Sequence, residues 1–239
     1  AWRTDAQDEF VQRNNESRKF LLDKLQEDLS QAQRTWAMWT LGLIAADGKS
    51  PEEDAAILRV FASKILDDEV AEADRIQSLR ILAFVARSAG DPKILPSATT
   101  QLFRSPNARL RHEALQAVWA ARRTNVTPEV IDLAARETDR VTSYTTWNVL
   151  RDFTSLREKK ILLHHKEPGV RLAFLLALLE DNAAELEEVL AMRSDKDERV
   201  AALAELWLAK TGGAQPLVTM EPPPGEYAEP VNVTLKTSV

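Results

Sequence analysis

The chain offers little that could make or break a bond. It has three histidines, His112, His164 and His165, and no cysteine. His164 and His165 could begin a metal site, with Glu167 folding back as a further ligand. Adjacent residues on a helix point in different directions, so one ion is hard to share between them. A working site also needs groups that orient its ligands. Structural or solvent-facing roles therefore fit these two, and fit His112, which stands between Arg111 and Glu113 at a helix start. Carboxylates come in pairs: Glu52-Glu53, Asp67-Asp68 and Glu187-Glu188. Acid–base work on a glycoside needs two carboxylates facing each other across a cleft, with their pKa values pushed apart. These pairs sit in polar helix runs or loops, as solvated faces do. A Gly-rich phosphate loop, G-x-S-x-G and H-E-x-x-H are all missing from the sequence. No catalytic, cofactor-binding or metal-ligating residue is assigned, no cofactor is expected, and the chain is read as a non-enzyme.

The densest basic cluster is Arg109, Arg111, Arg122 and Arg123. Trp39, Trp119, Trp147 and Trp207 each lie five to eight residues past an arginine. A basic face carrying tryptophans could stack nucleic-acid bases. The cluster is local, however, the formal net charge is -6, and the tryptophans fall on apolar stripes. They are read as a repeated core position, and nucleic acid as an improbable partner. The sequons at Asn15, Asn125 and Asn232 are no more than chance supplies.

These residues must be carried by helices. Of 239 residues, 44% are hydrophobic and 28% charged, which is a globular balance. Only 7 are glycine, too few for a protein built on many tight turns. An arginine followed three residues later by a small residue recurs at Arg3, Arg34, Arg75, Arg111, Arg140 and Arg199. Arg171 keeps the register with Phe174 in the small position. Successive arginines lie 31, 41, 36, 29, 31 and 28 residues apart, which suits one helical hairpin per repeat. Apolar residues follow each at helical spacing: Leu110, Ala114, Ala117, Val118 and Ala121 in one copy, Val200, Leu203 and Trp207 in another. Asn107, Glu167 and Asp195, four residues before their arginines, mark the turns that open these helices. Second helices are predicted over 16–30, over 51–65 behind Ser50-Pro51, after Thr127-Pro128-Glu129, and over 183–192. Residues 90–96, with two prolines, predict a loop or broken helix.

The helical pattern stops near Gly212-Gly213. Beyond it lie five prolines and the alternating run Val231-Asn232-Val233-Thr234-Leu235, which predicts a strand. A strand or two cannot fold alone, so residues 213–239 are read as a Pro-rich linker and strand-like tail, the start of a truncated β domain or a segment docked on the last repeat. No apolar stretch reaches the roughly 18 residues of a membrane span. The chain shows no secretory leader and opens at Ala1-Trp2-Arg3 in helical pattern without an initiator methionine. It is read as a piece of a longer protein.

The Val/Leu-Arg-x-x-Ala pattern, best at 110–114 and, with Glu198 in the first position, at 198–202, resembles HEAT repeats over roughly residues 1–212. The resemblance implies an all-α, right-handed α-solenoid of about seven hairpins, with the ladder arginine bonding across to the next repeat. Arg140 and Phe174 depart from the pattern, which predicts local irregularity there. Gly225-x-Tyr227-x-x-Pro230-Val231-x-Val233-x-Leu235 resembles the opening of the small β-sandwich of chitobiase C-terminal and fibronectin-III-associated modules. Ala1-Trp2-Arg3-x-x-Ala6 and Ala37-Met38-Trp39-Thr40-Leu41 resemble phrases in large bacterial extracytoplasmic proteins. Those proteins join a sorbosone-dehydrogenase-like propeller, HEAT repeats and a c-type haem domain. The implied function is a non-catalytic scaffold that binds a protein partner or neighbouring domains of its own chain, in the periplasm or another extracytoplasmic space. Competing expectations are a HEAT-type enzyme, bilin-lyase-like or DNA-glycosylase-like, and a cytoplasmic interaction module.

Overall fold

The computed structural model describes residues 2–211, 217–221 and 234–238, with side chains over 5–211. The fold is all-α apart from one pair of strands. Residues form two compact units, Ala1–Ala177 and Leu178–Val239.

In the first unit, short turns join helices in succession. These are α1 (Trp2–Arg13) and α2 (Asn15–Lys24), α3 (Gln31–Asp47) and α4 (Pro51–Lys64), α6 (Ala108–Ala120) and α7 (Thr127–Arg136), and α8 (Arg140–Phe153) and α9 (Leu156–Leu162). Helix α1 packs on α2 and α3 on α4, while α7 packs on α8. Between α3–α4 and α6–α7, α5 (Glu72–Ala89) is followed by 3₁₀ turns over Ser97–Arg104 instead of a second α-helix. The prolines predicted to break the helix do so: Pro92 opens a short 3₁₀ turn and Pro96 precedes the longer one. Helix α10 (Pro168–Glu180) follows.

Local chemistry sets the helix starts. Ser30 and Gln33 form a reciprocal capping box before α3, as do Ser155 and Glu158 before α9. Asn107 accepts from Arg109 N and Leu110 N, the cap read from sequence, and Asp139 caps α8 through Thr142 N at 2.8 Å. Before α12 (Glu198–Thr211) the cap is Asp197, which accepts from Arg199 N at 3.0 Å, rather than Asp195. Helix α9 was not among the predicted second helices.

First helices pack on first helices: α1 on α3, α3 on α5, α5 on α6, α6 on α8. Second elements cover the other side, and one apolar cluster runs unbroken from Leu21 through Phe61, Leu82, Phe103, Val118 and Val149 to Ala177. Each such side chain contributes about 1.5–3 kcal/mol by leaving water. Close approach needs glycine twice. A Cβ on Gly42 would meet Ile81 Cγ2 at 2.6 Å, and one on Gly169 would meet the Ala134 carbonyl oxygen at 2.2 Å.

The ladder arginine has a defined place. Arg34, Arg75, Arg111 and Arg171 are each the fourth residue of their helix. Each donates to carbonyls of the chain just before that helix: Arg34 to Leu25 O at 3.1 Å, Arg75 to Ile65 O at 3.2 Å, Arg111 to Ser105 O at 2.9 Å, Arg171 to His165 O at 2.8 Å. Those carbonyls close the preceding turn and have no helical partner. The forward bond across repeats occurs at two of them. Arg111 Nε and Nη2 each donate to Glu137 at 2.7 Å, and Arg34 lies 3.7 Å from Asp74. Arg140, the first residue of α8, is exposed and outside the pattern, as its departure from the motif led us to expect. Arg171 behaves regularly despite Phe174.

In the second unit, α11 (Leu186–Met192) packs on α12 (Glu198–Thr211) through Val189, Met192, Val200, Ala204 and Leu208. Strands β1 (Leu217–Glu221) and β2 (Thr234–Ser238) pair antiparallel, Leu217 opposite Ser238. The strand predicted at 231–235 meets β2 at Thr234 and Leu235. Residues 231–233, and most of the β-sandwich-like string, lie outside the described residues.

Burial pushes the Glu137 carboxyl up, but Arg111 and the backbone N–H groups of Asp139 and Thr138 outweigh it and hold it below the usual value. The Glu137 side chain is 2% exposed and that of Arg111 14%. Removing one partner of such a pair strands a buried charge. We therefore expect Arg111→Ala to lower unfolding free energy by about 3 kcal/mol in urea titrations. Since the folded state holds the lowered pKa, Glu137 stabilises the fold above its ordinary pKa of about 4.3, and that contribution is lost as pH falls through the folded value. Glu137→Gln should flatten the acid limb of the stability–pH curve; an unchanged limb would contradict the pairing. Gly169→Ala, which strikes backbone, should destabilise more than Gly42→Ala, which strikes a side chain.

Candidate functional site

The outward strip of the first helices carries His112 and Trp119, read from sequence as structural and core residues, beside others to which the sequence assigned no role. On α5 these are Arg80, Phe84 and Arg87. On α6 they are His112, Gln116 and Trp119, and on α8 Tyr144 and Arg151, with Asn148 in the same register but buried and donating to the Tyr144 carbonyl. Each triplet is spaced i, i+4, i+7, one helix face. Each member is 32 residues from its counterpart on the next helix. The rows follow the helix C-termini, not the arginine ladder, because α5 begins one turn earlier than α6.

Polar bonds join the helices along this strip. Gln7 Nε2 donates to Thr40 Oγ1 at 3.2 Å, and Trp39 Nε1 to Gln77 Oε1 at 2.8 Å. Arg80 pairs through both Nε and Nη2 with the buried carboxylate of Glu113, which raises the arginine pKa still further through the hydrogen bonds. His112 Nδ1 lies 3.2 Å from Thr145 Oγ1, and Trp119 Nε1 donates to Asp152 Oδ2 at 2.8 Å.

Between these joints two adjoining cavities open. One of about 400 Å³ is lined by Trp39, Arg80, Phe84, Arg87, His112, Glu113 and Gln116. The other, about 250 Å³, is lined by Arg87, Gln116, Trp119, Arg122 and Asp152. Trp39 and Phe84 meet edge-to-face with centroids 5.9 Å apart. Farther along, Tyr144 is 63% exposed, and Arg151 lies over the Trp147 ring at 5.5 Å. A third cavity of about 370 Å³, almost wholly apolar, lies between α2 and α3 among Phe20, Leu21, Leu29 and Trp36.

The basic cluster read from sequence is taken apart by the fold. Arg109 lies 3.5 Å from Glu72, Arg111 binds Glu137, and Arg123 donates to the Leu95 carbonyl. Arg122 alone lines the groove. The tryptophans divide too. Trp147 is buried, as predicted, whereas Trp39 and Trp119 are half-buried with their indole N–H groups bonded at the groove. Of the histidines, His112 lines the groove, His164 is exposed, and His165 accepts from Glu167 N at 3.2 Å. Among the described residues no three His, Asp or Glu side chains are arranged to hold a metal ion. The acidic pairs stay at the surface: Asp68 takes Arg75, and Glu188 accepts from Glu185 N. No described helix is long and apolar enough to cross a membrane.

The i, i+4, i+7 triplets could have been found by aligning the helices on their C-terminal ends rather than on arginine. Compared with models of protein families and with curated proteins, the chain matches none.

What the strip can do chemically is present aromatic faces and guanidinium groups on a backbone held rigid by the joints. Arg80→Ala should cost about 2 kcal/mol in denaturant titrations by stranding the Glu113 carboxylate. Adding Glu113→Gln should recover part of that loss; strictly additive losses would contradict a shared bond.

Proposed function

We propose that this chain is a HEAT-type, right-handed α-solenoid module of about seven hairpins, and that its first-helix layer docks a protein partner. The carrying observation is the set of rows repeated every 32 residues on that layer, which leave Phe84, Trp119 and Tyr144 half-buried or exposed among arginines, with Trp39 of α3 half-buried beside Phe84. Tryptophan, tyrosine and arginine dominate the energetics of protein interfaces. The groove carboxylates are already bonded, Glu113 to Arg80 and Asp152 to Trp119, which supports recognition over acid–base work. Non-catalytic scaffolding follows, by shape and surface complementarity along repeats that each touch their neighbours.

The setting is a larger bacterial, extracytoplasmic protein. The Gly225–Leu235 string and the Ala37–Leu41 phrase support that placement. The partner is then a separate protein or a neighbouring domain of the same polypeptide.

A photo-crosslinking amino acid at Gln116, in the groove, is compared with one at Arg157, on the exposed side of α9, each in the full-length protein in its own cells. Adducts to a discrete polypeptide segment are expected at 116 and not at 157. Equal adducts at both positions, or none at 116, would refute docking on this layer.

A further inference from the structure

We infer that Arg87 and Arg122 form an anion-recognition site that takes an acidic side chain of an extended partner segment lying in the groove. This rests on the docking reading above and names the chemistry of its partner.

Two independent observations carry it. The first is charge without a partner. Both arginines are exposed and line the same cavity of about 250 Å³ with Trp119 and Gln116. Among the described residues neither makes an ion pair or side-chain hydrogen bond, while Arg80, Arg109, Arg111 and Arg123 around them are all engaged. Arg87, in the last turn of α5, also complements the helix dipole, but that needs only its charge and not a cavity.

The second is backbone strain. Arg122 has φ 53°, in the left-handed region. The same helix-ending turn is built three times, closed by Asp91 N to Ala86 O at 3.0 Å, Arg123 N to Val118 O at 3.1 Å, and Ala183 N to Leu178 O at 2.9 Å. In the strained position the other two turns have Gly90 and Asn182. Glycine has no Cβ to clash, and asparagine compensates locally. Arginine does neither. Strain kept where a common substitution would relieve it marks a side chain held for use.

The occupant is an acidic peptide segment. A planar guanidinium pairs with a carboxylate through parallel bonds, and the half-buried Trp119 ring beside it seats an apolar neighbour. A nucleic-acid backbone would need a run of cations to displace its counterions. Here it would meet two free arginines, with the Asp152 carboxylate lining the same cavity, on a chain of net charge -6.

The test uses Arg122→Asn and Arg87→Gln in the whole chain. The probe is a short fluorescent peptide alternating glutamate with tyrosine, with its lysine counterpart and a single-stranded oligonucleotide for comparison. Arg122→Asn should raise the thermal midpoint by about 2–4 °C as strain is relieved, and weaken the glutamate peptide about tenfold. Arg87→Gln should weaken it similarly, added salt should weaken it further, and the lysine peptide should not bind. Unchanged affinity in Arg122→Asn, or tighter binding of the oligonucleotide than of the glutamate peptide, overturns the assignment. Failure of the glutamate peptide while the Gln116 cross-link persists also overturns it and leaves docking intact. Loss of that cross-link would instead strike the docking reading.

Discussion

A short helical hairpin cannot cover its own apolar face. Everything else in the first unit follows from that constraint. Helices α3, α5, α6 and α8 each lie against the next, with second elements behind them, and a single cluster of buried side chains passes through all of them. A helix flanked on both sides and covered from behind keeps one strip of surface. On α5 and α6 that strip is the place where Arg80, Phe84 and Arg87, and then His112, Gln116 and Trp119, come to lie. The groove is thus a product of the packing, and its 32-residue rows are the packing seen from outside.

Polar bonds set the register between neighbours. Buried ion pairs contribute little net stability over an apolar pair, yet they tolerate few alternative alignments. The joints occur in both layers. Arg80 with Glu113 and Trp119 with Asp152 hold the first helices, while Arg18 with Asp54 at 2.6 Å and Arg136 with the Phe103 carbonyl hold the second elements. The ladder arginines work differently. At the fourth helical position they satisfy the carbonyls of the turn that feeds the helix, and so fix how α3, α5, α6 and α10 leave that turn.

Much of this architecture was legible because helix starts carry local signals. Asn107 caps α6 and Pro51 opens α4 as read, and the prolines near residue 92 replace a helix with 3₁₀ turns. Helix α9 carries its own signal in the Ser155–Glu158 capping box, but it is only 7 residues long and lies off the arginine spacing. The groove was harder to see. Its rows keep a helical register that the arginine spacing, 36 then 29 residues across α5, α6 and α8, does not share. Tryptophans on apolar stripes read as core, and burial against a neighbour decides that only at Trp147. The left-handed turn at Arg122 has no sequence signal, because arginine is not a residue that such turns select.

The account makes the first-helix strip both the joint between repeats and the surface that meets a partner. Hydrogen–deuterium exchange with the glutamate–tyrosine peptide, read segment by segment, tests that coupling most directly. Added protection should concentrate in segments 80–87, 112–122 and 144–151, with α4, α7 and α9 unchanged. Protection centred on α7 or α9, or none in segment 112–122, would contradict it.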